Sequence, residues 1–159
     1  MTDPCTKLME SQVKTEMEAA MKYLAMGAHF ARDTINRPGF SKFFFESASE
    51  EREHAIKIIE YLLMRGQLTN DVSKLLKYPL TTNNTNPIRQ EWNSGEEALT
   101  DALKLEAQLV DYLTTDFLEE QYKGQRDLAG KISVLGKMMQ AHGPLGEFLF
   151  DKKLLSGEI

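Results

Sequence analysis

Little in this chain of 159 residues announces a chemistry. It has a single cysteine, Cys5, so no disulfide can form within it; the thiol can stay reduced or pair with another chain. No apolar run approaches the roughly 18 residues of a membrane span. The opening Met1-Thr2-Asp3-Pro4-Cys5 lacks the basic start and hydrophobic middle of a signal peptide. Basic residues are in deficit, 19 Lys and Arg against 24 Asp and Glu, which gives a net charge of -5. That balance argues against nucleic acid or an anionic membrane as the main partner. An acidic surface suits cations, although most acidic proteins use such charge only for solubility. Only five prolines and ten glycines occur, mostly clustered, so long stretches are free of helix breakers. With 42% hydrophobic residues the chain can bury one good core, and residues 1–159 read as a single domain.

What is present is helical periodicity. From about Lys7 to Arg32, Met9, Val13, Met17, Met21, Leu24 and Ala28 recur at spacings of three and four. Asn36-Arg37-Pro38-Gly39 supplies a tight turn, and a second helix follows to about Arg65, with Phe40, Phe44, Ser47, Ile58 and Leu62 along one stripe and Gly66 as its stop. So short a connection makes the two helices antiparallel neighbours. The breaker-rich stretch from Gln67 to Asn93 is long for a loop inside a compact domain, and crossing the length of a bundle is one reason for such a loop. It contains Asn83-Asn84-Thr85, an N-glycosylation triplet of a kind common by chance. Ser94 and Glu97 form a capping box that opens a third helix. From there to about Gln140 no breaker intervenes, and a short helix from Leu145 to Leu155 follows Gly143-Pro144. Three long helices are therefore expected, where a four-helix bundle needs four.

The informative residues are acids placed where apolar ones belong. On the second helix the stripe continues through Glu51 and His54; on the third, Glu106 shares a face with Leu99, Ala102 and Val110. On the first, Glu16 and Tyr23, about two turns apart, border the apolar stripe. An unpaired carboxylate in an apolar interior costs several kcal/mol. Three inward glutamates and a histidine, with no Lys or Arg on those stripes, call for a cation. Oxygen ligands with one imidazole and no thiolate suit Fe, Mn or Zn. Glu51-Arg52-Glu53-His54 is a Glu-x-x-His motif, whose spacing brings both side chains to one ion. Neither His29 nor His142 completes a second such motif, so a second ion would have carboxylates only and be held weakly. Each feature alone has a plainer reading. The Glu50 to Glu53 run with Arg52 could be a solvated charged turn, Tyr23 a core tyrosine, Glu16 a rim residue, and the eight methionines core packing.

Several runs, TEMEAAMKYLAMGAHF, NRPGFSKFFFESASEEREHA, ALKLE, DFLEEQYKGQ and LGEFLFDKKLL, resemble ferritin heavy chains, in order and over nearly the whole length. NRPGF, EYLLMRGQLTNDVSKLL and DYLTTDFLEEQYKGQRDLAGK resemble the secreted insect type. The resemblance implies an all-α, up-down four-helix bundle with one long crossover and a short C-terminal helix. It implies iron storage and a ferroxidase site. Glu16, Glu51 and His54 would hold one iron with Glu51 bridging, and Glu106 with Glu50 a second. Tyr23 would take part in oxidation, and Gln121 would hydrogen-bond oxygen species or water. Glu50 and Glu53 match acids that favour mineral nucleation. Assembly with other ferritin subunits into a 24-subunit shell, and a mature form from the secretory pathway, are further implications, with a cytoplasmic location as the alternative.

One departure stands out. Between Ala107-Gln108 and Leu109-Val110 about twenty residues of the family pattern are missing, about five helical turns. This places Glu106 and Gln121 fifteen residues apart, about 22 Å along one axis if the chain stays helical. Helices three and four are then expected to be fused or shortened. Asp111 matches one acid of the channel where three subunits meet, and Thr114 stands where many heavy chains have another; the family's partner for a cysteine like Cys5 would fall in the missing stretch. A shortened, non-catalytic subunit and a stable metal-holding bundle are the competing readings.

Overall fold

The computed structural model describes residues 4–71, 75, 88–109 and 115–159, apart from the side chains of 115–121. Five helices and no strand occur among the described residues: α1 (Pro4–Ala31), α2 (Pro38–Met64), α3 (Gly95–Leu109), α4 (Thr115–His142) and α5 (Pro144–Ser156). The sequon Asn83 and the channel positions Asp111 and Thr114 lie outside the described residues.

The α1–α2 turn needs Asn36 at φ 48, a left-handed conformation that Asn tolerates, and Pro38 then opens α2. Gly66 ends that helix at φ 61, a value available to glycine without strain. At the start of α3 the serine half of the capping box is present, while Glu97 reaches back to the residue before the cap. The Ser94 hydroxyl accepts from the Glu97 N–H at 3.1 Å, and Glu97 Oε2 accepts from the Asn93 N–H at 2.8 Å.

Although Gly66 closes the far end of α2, Gly95 begins α3 against the Phe40 ring at the near end. Glu106, eleven residues on, reaches Glu51, eleven residues after Phe40, so α2 and α3 run parallel. The Gly95 N–H donates to Glu147 Oε2 of α5 at 2.9 Å. α5 closes this end a second time: the buried Asp151 accepts the Phe40 N–H at 2.9 Å and caps α2. Beneath that cap Phe30, Phe40, Phe44 and Phe150 pack ring on ring with centroids 5.0 to 6.3 Å apart, joining α1, α2 and α5. A smaller cluster of Val13, Ala55, Ile58 and Leu62, with Leu75, fills the opposite end of the α1–α2 pair.

Two expectations are corrected. The third and fourth helices are not one rod. α3 ends at Leu109, and Gln125 Nε2 of α4 donates to the Glu106 carbonyl at 3.2 Å. In a continuous helix those residues would be about 28 Å apart. Apolar burial decides the matter, since Leu105 and Leu109 of α3 and Leu128 and Leu135 of α4 are all buried, whereas a rod would strip cover from both pairs. Helix propensity, the only signal favouring the rod, is too weak to compete. What shortens is α3, to 15 residues against 28 and 27 in α1 and α2.

The second correction concerns α1. Leu24 is 46% exposed and Ala28 is exposed, so the face taken as apolar turns outward beyond Met17. The buried face instead runs through Gln12, Val13, Glu16, Ala19, Ala20, Tyr23, Met26 and Phe30. The polar residues lie in the middle of the core stripe, not at its border.

Candidate metal centre

Three helices deliver polar side chains to one buried place between the two apolar clusters. α1 supplies Gln12, Glu16 and Tyr23; α2 supplies Glu51 and His54; α3 supplies Glu106. Glu16 is 0% exposed, Glu51 4% and Glu106 6%, and His54 is partly buried. One ligand atom from each of Glu16, Glu51 and His54 lies within 4.8 Å of the others, the spacing that a single ion spans. His54 Nδ1 stands 3.4 Å from Glu51 Oε2, the i, i+3 contact the motif provides.

Around this trio the contacts are short. Tyr23 Oη donates to Glu106 Oε1 at 2.5 Å, bridging α1 and α3, and Glu106 also reaches Glu51. Gln12 Nε2 donates to Glu16 Oε1 at 2.6 Å. The remaining Glu16 oxygen, Oε2, is buried with no amide, amine or hydroxyl donor, beside the Glu51 carboxyl. Buried polar atoms are rarely left that way, and an acceptor facing other carboxylates needs a proton or a metal ion.

The charges agree. Burial, then the hydrogen bond and negative charge of Glu51, push the Glu16 carboxyl up to about 8, against the pull of Gln12 and His54. Burial raises Glu106 too, and it pushes the Tyr23 phenol well above its ordinary value with Glu106 adding to the shift. His54 is raised first by its hydrogen bond to Glu51. Without metal, protons do the neutralising, and a divalent cation can take their place.

Asp151 shows the other way to keep a buried acid. It has the N–H groups of Gly39 and Phe40 and the charge of Arg37 to oppose its desolvation. Glu16 has one amide donor, Gln12, and the charge of His54, and the Glu51 carboxylate acts against both. His29, packed against Phe30 and Trp92, is a core histidine at the end of α1 remote from the trio.

Of the other sequence-expected residues, Glu50 and Glu53 are exposed and stand outside the trio. Glu50 lies on an open groove with Lys42, Glu46 and Ser49. Gln121 belongs to α4, one turn before Gly124, where an added Cβ would come within 3.8 Å of Glu106 Oε2. Its side chain lies outside the described ones. The fold-back of α4 thus brings that stretch beside Glu106, instead of 22 Å away. Sequence reasoning missed Gln12, whose signal was an amide at i−4 from Glu16 on the buried face.

A helical bundle with buried carboxylates and one imidazole converging from three helices defines a class, the carboxylate metal-binding bundles. Residues 6–138 match the ferritin-like domain family model. A ferritin heavy chain of Trichoplusia ni is 52% identical over 177 positions, covering 98% of this chain and 81% of that protein. One of Drosophila melanogaster is 50% identical, covering 97% and 82%. The crystal structure of Trichoplusia ni secreted ferritin superimposes with a TM-score of 0.86 at 52% identity, covering 98% of this chain and 90% of the other. The chain belongs to the ferritin family. It is of the heavy-chain kind, whose function is iron storage with ferroxidase activity, in a family known to form oligomeric shells. An alignment of 177 positions that uses 98% of 159 residues leaves about twenty positions without a counterpart here, in keeping with the short α3.

Proposed function

We propose that Fe(II) enters as substrate at Glu16, Glu51 and His54, with Glu51 shared toward a second ion held by Glu106 with help from Glu50. The observation that carries this reading is the trio itself, with a Glu16 oxygen buried among acids and given no amide, amine or hydroxyl donor. Two Fe(II) ions each give up one electron, and dioxygen takes both with two protons to leave as hydrogen peroxide. This chain's part is to collect the ions, bring them together and hold the protons they displace. Carboxylates stabilise the trivalent product more than the divalent substrate, which favours oxidation. With one histidine for two ions, the second is held loosely enough to move on. Tyr23, hydrogen-bonded to Glu106, would give an electron or a proton on that side, and Gln121 of α4 would hydrogen-bond an oxygen species or water. Exposed Glu50 and Glu53 would receive the oxidised iron and start the mineral. We further propose that the chain works in a 24-subunit shell, alone or with other ferritin subunits, and reaches its destination by the secretory route.

Iron retention tests the reading. The protein is supplied with several hundred Fe(II) per subunit in air and passed over a sizing column. Iron is expected to leave the column with a large assembly, far above two ions per chain, and electron micrographs of that fraction should show shells. Iron that stays near two per chain through a mild chelator would instead fit a stable metal-holding bundle. Assembly without iron would fit a non-catalytic subunit.

A further inference from the structure

Gln12 is a buried amide on α1. Its side chain is 3% exposed, one turn before Glu16 on α1, and its Oε1 is buried without a hydrogen-bond partner. A buried amide with an unmet acceptor is a cost that a methionine of the same length would avoid. Its one hydrogen bond, 2.6 Å from Nε2 to Glu16 Oε1, is made to a residue of the proposed metal trio. The two Glu16 oxygens are thereby made different: Oε1 is held by the amide, and Oε2 is buried with no amide, amine or hydroxyl donor.

We infer that Gln12 is a positioning residue that holds Glu16 by one oxygen and so makes it a one-oxygen ligand through the other. A carboxylate free to rotate can close both oxygens on one ion, taking up a coordination position that substrate or water would otherwise use. Held at Oε1, it cannot. The amide suits this role because its N–H donates to a carboxylate without adding charge to the site. An Arg or Lys there would compete with the cation. The inference rests on the proposed reading of Glu16, Glu51 and His54 as a divalent-metal site, and its test separates the two.

Co(II) is the probe, because its d–d absorption weakens as coordination rises to six. Wild type, the Glu51→Ala/His54→Ala pair, Gln12→Met and Gln12→Asn are titrated with Co(II) and compared by circular dichroism. Gln12→Met removes the donor at constant length, whereas Gln12→Asn keeps the amide but withdraws it by one methylene. Both are expected to keep the wild-type helix signal, to bind Co(II) about 10- to 100-fold more weakly, and to show a weaker d–d band. Wild-type affinity and band shape in a folded Gln12 variant would overturn the inference. So would a loss of helix signal in both variants with unaltered Co(II) binding by the folded fraction, because Gln12 would then serve only the fold. Failure of wild type to bind Co(II) more tightly than the Glu51→Ala/His54→Ala pair would defeat the metal reading itself, a result distinguishable from the others.

Discussion

Replacing Glu51 and His54 together by alanine is expected to bring Fe(II) oxidation down to the rate in buffer alone, a loss of at least about 100-fold. Changes to residues that merely orient metal ligands already cost about 10- to 100-fold, and this pair removes the ligands. Glu51 is the larger half of the effect because it touches everything else: it hydrogen-bonds Glu16, contacts His54 and reaches Glu106. The fold is expected to survive. Both residues sit between two apolar clusters that hold α1 and α2 without them, and alanine removes a desolvation cost. Stopped-flow absorbance of Fe(III) formation, with circular dichroism on the same samples, separates chemistry from unfolding. Equal oxidation rates in wild type and the double variant would remove the enzyme reading for this site.

The second large effect is on pH. The metal-free protein is expected to lose stability as pH rises from about 5 to about 9. Glu16 has a folded pKa of about 8 against 4.5 for a free carboxyl. Between those values the folded state holds a proton that the unfolded state has released, so stability falls with rising pH. The contribution is intact below 4.5 and gone once pH passes 8. Glu106 and His54 are raised as well and add to the slope in the same sense. Binding of a divalent ion runs the other way. The ion displaces the Glu16 proton, so affinity should rise about tenfold per pH unit up to about 8, and more steeply where His54 also gives up its proton. Melting curves across this range, with a chelator and with Zn(II), check both signs. A chelated protein whose melting point is flat or climbs between pH 5 and 8 would contradict the assigned charges.

Much of this was legible in the sequence, for reasons that differ by residue. Glu51 and His54 stood out because they interrupt a stripe defined by Phe44 and Ile58 on either side, and α2 keeps that register from Phe40 to Leu62. Glu106 was visible for the same reason between Ala102 and the leucines of α3. Glu16 and Tyr23 were noticed, but their place was misjudged. Methionines and Leu24 suggested an apolar face that partly looks outward, and only packing against α2 and α3 reveals that the buried face is the polar one. Helix periodicity finds a stripe; it does not say which of two adjacent stripes meets the neighbouring helix.

The α3–α4 arrangement was not legible. No glycine or proline lies between Leu109 and Thr115, so local rules read straight through. The return of α4 along α3 is set by long-range burial of leucines on both helices, information that no short window contains. That return is also what keeps Glu106 beside α4 despite the shortening. Gln12 escaped notice because an amide four residues before Glu16 becomes a signal only once that face of α1 is known to be buried.

The central claim is that Glu16, Glu51 and His54 are buried together because a cation belongs among them. Crystals soaked in Co(II) and measured at the cobalt absorption edge test it directly. An anomalous peak is expected between these three side chains, with Glu16 bound through a single oxygen. An empty trio in crystals that take up cobalt elsewhere, or the same side chains turned outward to solvent, would contradict it.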